Sequence, residues 1–427
     1  MTLDQAKSIA TSAGMNDTSI FTAALGLQKP WTVTKSNFEI ATKELHIHID
    51  FPNGSQFACP ECQSLCSIYD SEEKVWRHLD FFQHKAFLHA RVPRANCKIH
   101  GALKVVVPWA RPSSGFTLLF EVLILTLAKS MPVKAIANLI GEHDTLVWRI
   151  IRHHVDDARA RVDMSTVKTI GVDETSVRKN HKYITIFVDI PTSRVLFATP
   201  GKDGDTLLPF IGNLCDHGGR AQNIKEISMD MSPAFISGAR EHFSDAAITF
   251  DKFHVTKLIT DAIEEIRREE QKESPEHYEL LKNARFALLK NSDNLPDWME
   301  EKLDRIRLSS LNLKSARAWR LKQSFQEAYN LPGKLGAEQL KKWCGWATRS
   351  KLGPMISAAK TIMNNWEGIV HYFKSNITNA ILESINAIFQ AARSKARGYR
   401  NVDYATTILY LLTGGLDLPS LNKIHSK

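Results

Sequence analysis

Thr169-Ile170-Gly171-Val172-Asp173 is an apolar run that ends in a carboxylate and passes into Glu174-Thr175-Ser176. A second apolar run, Ile224 to Asp230, also ends in an aspartate and opens into Met231-Ser232-Pro233. Between them lie two more strand-like runs, Tyr183 to Ile190 and Arg194 to Thr199. Pro191-Thr192-Ser193 joins these as a hairpin, and a helical stretch from Thr206 to Leu214 follows. A helix near Pro233 to His242 and a strand Ala247 to Asp251 come next.

A strand, a hairpin pair, a helix and a fourth strand is the element order of the ribonuclease-H-like α/β fold. In that fold the first and fourth strands lie side by side at the sheet centre. Asp173 and Asp230 would then stand within one metal-binding distance of each other. In-line attack on a phosphodiester calls for one ion at the nucleophile and another at the leaving oxygen. Magnesium takes hard oxygen ligands and few protein groups, which two or three carboxylates satisfy. The third acid is expected on a later helix, and Glu383 fits. It lies in Ser375-Asn-Ile-Thr-Asn-Ala-Ile-Leu-Glu-Ser-Ile-Asn386, on a helix predicted from Thr378 to Lys395 that carries Arg393, with Arg397 and Arg400 just beyond. A lone aspartate after a strand more often faces a turn, and a lone helical glutamate is more often solvated. Glu174, Asp189, Asp205 and Asp251 are rivals, and the order of elements favours Asp173 with Asp230.

From Val255 to Phe373 the pattern is helical and amphipathic, with breaks at Asn294–Pro296, Leu331-Pro-Gly333 and Gly353-Pro354. Upstream, residues 113 to 162 also read as helices. Phe116 begins an apolar helix, Pro132 opens a second over Val133 to Ile140, and Gly141 stops it. Asp144 is placed to cap a third, through Trp148, Arg149, Arg152 and His153. This is the layout of a helix-turn-helix, whose second helix would face base edges with Thr145, Trp148 and Arg149 and phosphates with Arg152 and His153. Three core helices with a solvated basic face would look the same.

Cys59-Pro-Glu-Cys62 and Cys97-Lys-Ile-His100 are two knuckles with the spacing of structural zinc ligands. The 34 residues between them suit a ribbon with intervening strands rather than a small finger. Cys66 and His78 are spare candidates, and ordinary buried thiols are the plainer alternative. Phe81 to Phe120 contains no Asp or Glu but carries Lys85, Arg91, Arg94, Lys98, Lys104 and Arg111, which predicts a basic surface with Arg91 and Arg94 on DNA. Ahead of it, Leu45 to Asp50 alternates as a half-buried strand, and Asn53-Gly54 reads as a turn.

The chain has 427 residues, enough for two or three domains. The 55 basic against 46 acidic residues give a formal charge of +9, which favours a polyanionic partner. Phe116 to Ala128 is too short to span a bilayer and Glu121 interrupts it, and no signal peptide is apparent. A cytoplasmic, nucleoid-associated protein with no membrane partner is expected. Six cysteines in such a chain point to metal rather than disulfides.

With these segments in place the chain resembles the ISL-three family of bacterial insertion-sequence transposases. The carrying motifs are Arg77-His-Leu-Asp-Phe-Phe82, Leu88-His-Ala-Arg-Val-Pro-Arg94, Val107-Pro-Trp-Ala-Arg-Pro112, Gly171-Val-Asp-Glu-Thr-Ser176, Ser228-Met-Asp-Met-Ser232, Phe250-Asp-Lys-Phe-His254 and Arg397-Gly-Tyr-Arg-Asn401, spread from about residue 30 to 415. The resemblance implies a zinc finger, a helix-turn-helix and a DDE domain in series, with Asp173, Asp230 and Glu383 as the triad. It also implies a helical insertion that splits the nuclease fold after the strand ending near Asp251. The expected division is 1–57, an N-terminal segment; 58–112, zinc-binding; 113–162, helix-turn-helix; 163–254 with 374–427, catalytic; and 255–373, the insertion. His100 departs from the family, in which Cys is frequent at that place.

The activity implied is binding of terminal inverted repeats, then metal-dependent cleavage and strand transfer. It would use Mg2+ or Mn2+ in the acid site, a structural Zn2+, and His254 and Lys395 on phosphates. The partners are double-stranded element ends and target DNA, held by a homodimer or larger assembly. Two alternatives are a transposase-derived DNA-binding regulator without activity and a host structure-specific nuclease on the same fold.

Overall fold

The computed structural model describes residues 17–178, 182–290, 295–309, 311–375, 377 and 379–420. The chain divides into two units, one of residues 1–154 with the C-terminal tail, the other Val155–Leu416.

The first unit is built on a long hairpin. After α1 (Asp17–Ala24) come β1 (Thr32–Glu39), β2 (Glu44–Asp50), the short pair β3 (Phe57–Ala58) and β4 (Leu65–Cys66), then β5 (Ile68–Phe81), β6 (His84–Cys97) and β7 (Gly101–Lys104). The sheet order is β1-β2-β6-β5, with β7 on β6. Phe82 and Gln83, both at positive φ (48° and 65°), close β5 onto β6 in the two-residue turn that a twisted hairpin favours. On β2 the alternation found in the sequence turns Leu45, Ile47 and Ile49 inward, where they pack with Trp31, Trp76, Leu88 and Trp109. Because β2 pairs in parallel with β6, the sheet runs without a break across residue 57. Residues on both sides of the expected 1–57 and 58–112 division thus contribute strands to one sheet.

Three helices follow: α2 (Leu118–Ala128), α3 (Val133–Ile140) and α4 (Asp144–Ala160). Thr117 caps α2 through its side chain, which accepts Phe120 N–H at 3.3 Å. Gly141 ends α3 at φ 66°, the left-handed position glycine takes without strain. Asp144 is not the cap expected of it. It sits inside the first turn of α4, where a carboxylate still complements the helix dipole.

The second unit carries β8 (Thr169–Arg178), β9 (Lys182–Asp189), β10 (Arg194–Pro200), α5 (Leu207–Asp216), β11 (Glu226–Met229), α6 (Pro233–His242) and β12 (Ala247–Phe250). The sheet order is β10-β9-β8-β11-β12, so the first and fourth strands of this unit are neighbours, as the element order implied. β9 runs antiparallel to β8 and β10, while β11 runs parallel to β8 and to β12.

Among the described residues, eight helices then run to the acid-bearing segment: α7 (Lys252–Glu270), α8 (Pro275–Leu281), α9 (Arg285–Leu289), α10 (Asp297–Arg307), α11 (Lys314–Asn330), α12 (Gly333–Thr348), α13 (Gly353–Asn364) and α14 (Trp366–Ser375). The breaks at Leu331–Gly333 and Gly353-Pro354 separate helices as read; Asn294 of the third lies outside the described residues. These helices share one continuous core with the sheet, in which Val172, Phe187 and Ile227 belong with Ile259, Ile263 and Trp343. The helical segment is thus an extension of the same core, and α14 lies on β12, where Gly368 meets Phe250 closely.

α15 (Ala380–Lys395) and α16 (Val402–Thr413) complete the unit. The expected start of α15 at Thr378 lies outside the described residues. A Cβ at Gly171 would stand 2.5 Å from Leu382, so glycine there lets α15 settle directly on β8. No helix among the described residues is long and apolar enough to cross a membrane.

Candidate acid site, zinc centre and DNA-facing residues

The last paired couple between β8 and β11 is Gly171 with Ser228, and between β11 and β12 it is Met229 with Phe250. Asp173 and Asp230 each lie two residues beyond the first couple, and Asp230 and Asp251 each lie one beyond the second. Three aspartates thus stand abreast at the same level of three parallel strands. Asp173 is not at a strand end as expected: β8 continues to Arg178 because β9 goes on pairing with it after β11 has stopped. That leaves Asp173 with its strand held on one side and open on the other.

Asp173 Oδ1 accepts Glu174 N–H and its Oδ2 accepts Asn386 Nδ2–H, both at 2.8 Å. Asp230 Oδ1 accepts Ser232 N–H at 3.0 Å. Asp251 caps α7 by accepting Phe253 N–H at 3.2 Å. Burial pushes the Asp173 carboxyl up, and the charges of Asp230 and Asp251 push it further against the Glu174 amide and His254. Burial, then Asp230 and Asp173, carry Glu174 up to about 7, opposed by Lys202. Burial likewise raises Asp251, opposed by the Phe253 amide, His254 and the Asn379 amide.

Among the described residues no Lys or Arg forms an ion pair with any of these four acids. Crowded, partly or fully buried carboxylates with no ion-paired Lys or Arg among the described residues offer hard oxygen donors that suit a divalent cation. Glu383 is exposed in the first turn of α15, three residues before Asn386. Its oxygens do not close a compact group with those of Asp173 and Asp230: the groups of ligand atoms all within 4.8 Å of one another, among the described residues, lie elsewhere. One of them, Glu270 with Glu273 and His277, already has partners, since Glu270 accepts Ser315 N–H at 2.8 Å and Glu273 pairs with Lys314.

The other is Cys59, Cys62, Cys97 and His100. Cys59 Sγ lies 3.7 Å and Cys97 Sγ 3.6 Å from His100 Nδ1, and Cys62 Sγ lies 3.7 Å from Cys97 Sγ. Tetrahedral bonds of about 2.3 Å to sulfur and 2.0–2.1 Å to nitrogen give ligand–ligand edges of about 3.6–3.8 Å, so the four donors fit zinc. The first knuckle is folded by Cys59 N–H on Ser64 O and Gln63 N–H on Cys59 O, both 2.9 Å. The backbone amides of His100 and Ile99 hold the Cys97 thiol down to about 7, which favours the thiolate. Of the spare candidates, Cys66 adjoins Cys97 but stands outside the four-ligand group, its Sγ facing Ser64 O at 3.3 Å, while His78 Nδ1 is 2.9 Å from Thr117 Oγ1.

Four bases of the acid-poor stretch are paired with acids from outside it. Arg91 pairs with Asp50, Arg94 with Asp70, Lys104 with Glu72 and Arg111 with Glu121. The acids come from β2, β5 and α2, and cross-strand pairing brings them beside bases far away in sequence. On α4, Thr145, Arg149, Arg152 and His153 are exposed, but Trp148 is 9% exposed. It falls on the helix's inward stripe with Val147, Ile151 and Val155, so it anchors α4 instead of reading bases. At the end of α15 and just past it, Arg393, Arg397 and Arg400 line a groove of about 760 Å³ with Gln390, Ser394 and Tyr399, and Lys395 is exposed. Among the described residues no carboxylate pairs with Arg393 or Arg397. His254 lies close enough to Asp173 and Asp251 to act on both charges.

A sheet bearing uncompensated acids on neighbouring strands, joined in one chain to a four-ligand zinc centre and a helix-turn-helix, defines a DNA-processing enzyme of the transposase class. Comparison with known proteins agrees. Residues 170–409, more than half of the chain, match the DDE transposase domain of the ISL3 group; residues 105–155 match the helix-turn-helix domain of transposase family ISL3; and residues 55–100 match the zinc-finger of transposase IS204/IS1001/IS1096/IS1165. The chain belongs to the ISL3 family of DDE transposases.

Relatives include the transposase for insertion sequence element IS1557 of Mycobacterium tuberculosis, 29% identical over 395 residues, covering 86% of this chain and 88% of the relative. The transposase for insertion sequence element IS1001 of Bordetella parapertussis is 25% identical over 365 residues, covering 83% and 88%. The protein is a DNA-binding transposase with zinc-finger, helix-turn-helix and DDE regions in that order.

Proposed function

We propose that the second unit is a ribonuclease-H-like catalytic domain and that Asp173, Asp230 and Glu383 are its metal-holding triad, with magnesium or manganese as the metal. The observation that carries this is the register: Asp173 and Asp230 each lie two residues past the Gly171–Ser228 couple on adjacent parallel strands. Asp251 shares the row, but its carboxylate is engaged as the cap of α7, and we assign it a supporting role. Bound divalent ions would activate the attacking oxygen and neutralise the leaving one.

Asp173 within β8 and Asp230 just past the end of β11 would hold that charge, and Glu383 would approach from α15. A water oxygen forms a new bond to phosphorus at the element end as the bridging P–O3′ bond breaks, which frees a 3′-hydroxyl. That hydroxyl then attacks a target phosphodiester, forming one P–O bond and breaking another. Thr145 and Arg149 read the terminal inverted repeat while Arg152 and His153 hold its phosphates, and Arg393, Lys395, Arg397 and Arg400 with His254 hold phosphates near the cut. Arg91 and Arg94, already paired, contribute little. Zinc on Cys59, Cys62, Cys97 and His100 stabilises the first unit. Two ends must meet for joining, so the working form is a dimer or larger assembly on DNA.

The test is cleavage of a labelled duplex carrying the element end, with magnesium, by wild type and Asp230→Ala. Cutting by the wild type alone, with binding retained in the variant, supports the reading. Binding without cutting by the wild type in magnesium and in manganese would leave a DNA-binding protein.

A further inference from the structure

α15 meets the sheet through carboxamides as well as through Leu382. Asn379 Oδ1 accepts Ser228 Oγ–H on β11 at 2.5 Å. Asn386 Nδ2 donates to Asp173 Oδ2 on β8 at 2.8 Å. Gln390 Nε2 donates to Thr175 Oγ1 and Ser176 O, both at 2.9 Å, and its Oε1 accepts from Arg393 at 2.7 Å. Residues 386 and 390 are one helical turn apart, and Glu383 precedes 386 by three, so the acid and the two amides share a face.

An ionised carboxylate only accepts hydrogen bonds, so the nitrogen of Asn386 is the end that faces Asp173. With Glu174 N–H on Oδ1 and Asn386 on Oδ2, both oxygens of Asp173 are held while each keeps a lone pair for another partner. Asn386 Oδ1 is itself buried and has no hydrogen-bond partner among the described residues. A side chain kept for packing alone would not carry an orphan acceptor, because leucine fills nearly the same space without that cost.

We infer that Asn386 is a positioning residue: it fixes the plane of the Asp173 carboxylate for divalent metal and ties that orientation to the helix that presents Glu383. Groups that hold a metal's ligands in place shift metal affinity by about 10–100-fold when removed. The inference rests on Asp173 being a metal ligand.

The test titrates Mn2+ alone, followed by electron paramagnetic resonance, into the full zinc-loaded chain without DNA, with the thermal midpoint measured before manganese is added. Asn386→Leu is expected to weaken Mn2+ binding about tenfold or more, with a midpoint like the wild type's. Asn386→His, which still offers an N–H donor, is expected to regain part of it. Asn386→Ser, which needs less space, carries the same test if the leucine variant does not fold. Wild-type Mn2+ affinity in Asn386→Leu or Asn386→Ser, while Asp173→Asn loses it, would overturn the role of Asn386 alone. Unchanged affinity in Asp173→Asn would remove the metal-ligand reading and this inference with it.

Discussion

Gly171 on β8 and Leu382 on α15 touch so closely that a methyl group on the glycine would stand 2.5 Å from the leucine's Cδ1. This contact sets how near the helix with Glu383 lies to the strand with Asp173. Gly171→Ala is expected to push α15 outward, costing about 1–3 kcal/mol and lowering end cleavage more than DNA binding. Leu382→Ala in the same chain should relieve the clash. Chemical denaturation and cleavage rates on the single and double variants check it, and additive losses would contradict it.

The zinc centre is expected to hold one zinc per chain and to support the first unit. Cys62→Ser should lose the metal and unfold the zinc-dependent sheet region, because metal binding and folding free energy are coupled in such sites. His100→Cys should keep zinc, since thiolate fits the same tetrahedral position. Elemental analysis with thermal melting reads both.

Glu121, fully buried, is bound by Arg111 at 2.9 Å, Ser114 Oγ at 2.7 Å and His154 Nε2 at 2.7 Å. Burial pushes its carboxyl up, but His154, Ser114 and Arg111 outweigh it and hold it below the ordinary 4.5. A folded value below the unfolded one means the contribution to stability is complete above about pH 4.5 and is lost as pH falls through the folded value. Glu121→Ala should cost about 3–5 kcal/mol at neutral pH, because it strands buried donors, and should flatten stability in the acid range. Melts of the two proteins from pH 3 to 7 test this.

On α4 the inward and outward residues should separate cleanly. Arg149→Ala with Arg152→Ala is expected to weaken binding to the element end and to flatten its salt dependence by roughly one unit of slope per lost phosphate contact, with stability unchanged. Trp148→Ala should cost about 3–5 kcal/mol in stability. Specific binding that survives the arginine changes would move recognition off this helix.

The order of the catalytic sheet was legible because apolar runs closing in Asp173, Asp230 and Asp251 punctuate it. The zinc knuckles were legible from spacing alone. β1, Thr-Val-Thr-Lys-Ser-Asn-Phe-Glu, was not: most of its side chains are exposed, so it lacks the alternation that marks a half-buried strand. The true extent of β8 was hidden because Glu174 to Ser176 look like a turn until β9 is known to pair with them. Arg91 and Arg94 looked free because their acids lie 41 and 24 residues away in sequence. Trp148 looked like a DNA contact because its basic neighbours outweighed the one-residue phase that separates the buried stripe from the exposed one. Asn379, Asn386 and Gln390 carry a visible signal, carboxamides on the face of Glu383, but only the strands opposite give it meaning.

The proposed mechanism depends on Asp230 as a ligand of the catalytic metal. Asp230→Cys tests it most directly, because thiolate is a poor ligand for magnesium and a better one for manganese. The variant is expected to cut the element end in manganese but not in magnesium, while the wild type cuts in both. Equal cutting by the variant in the two metals, or cutting by the variant in magnesium at the wild-type rate, would contradict it.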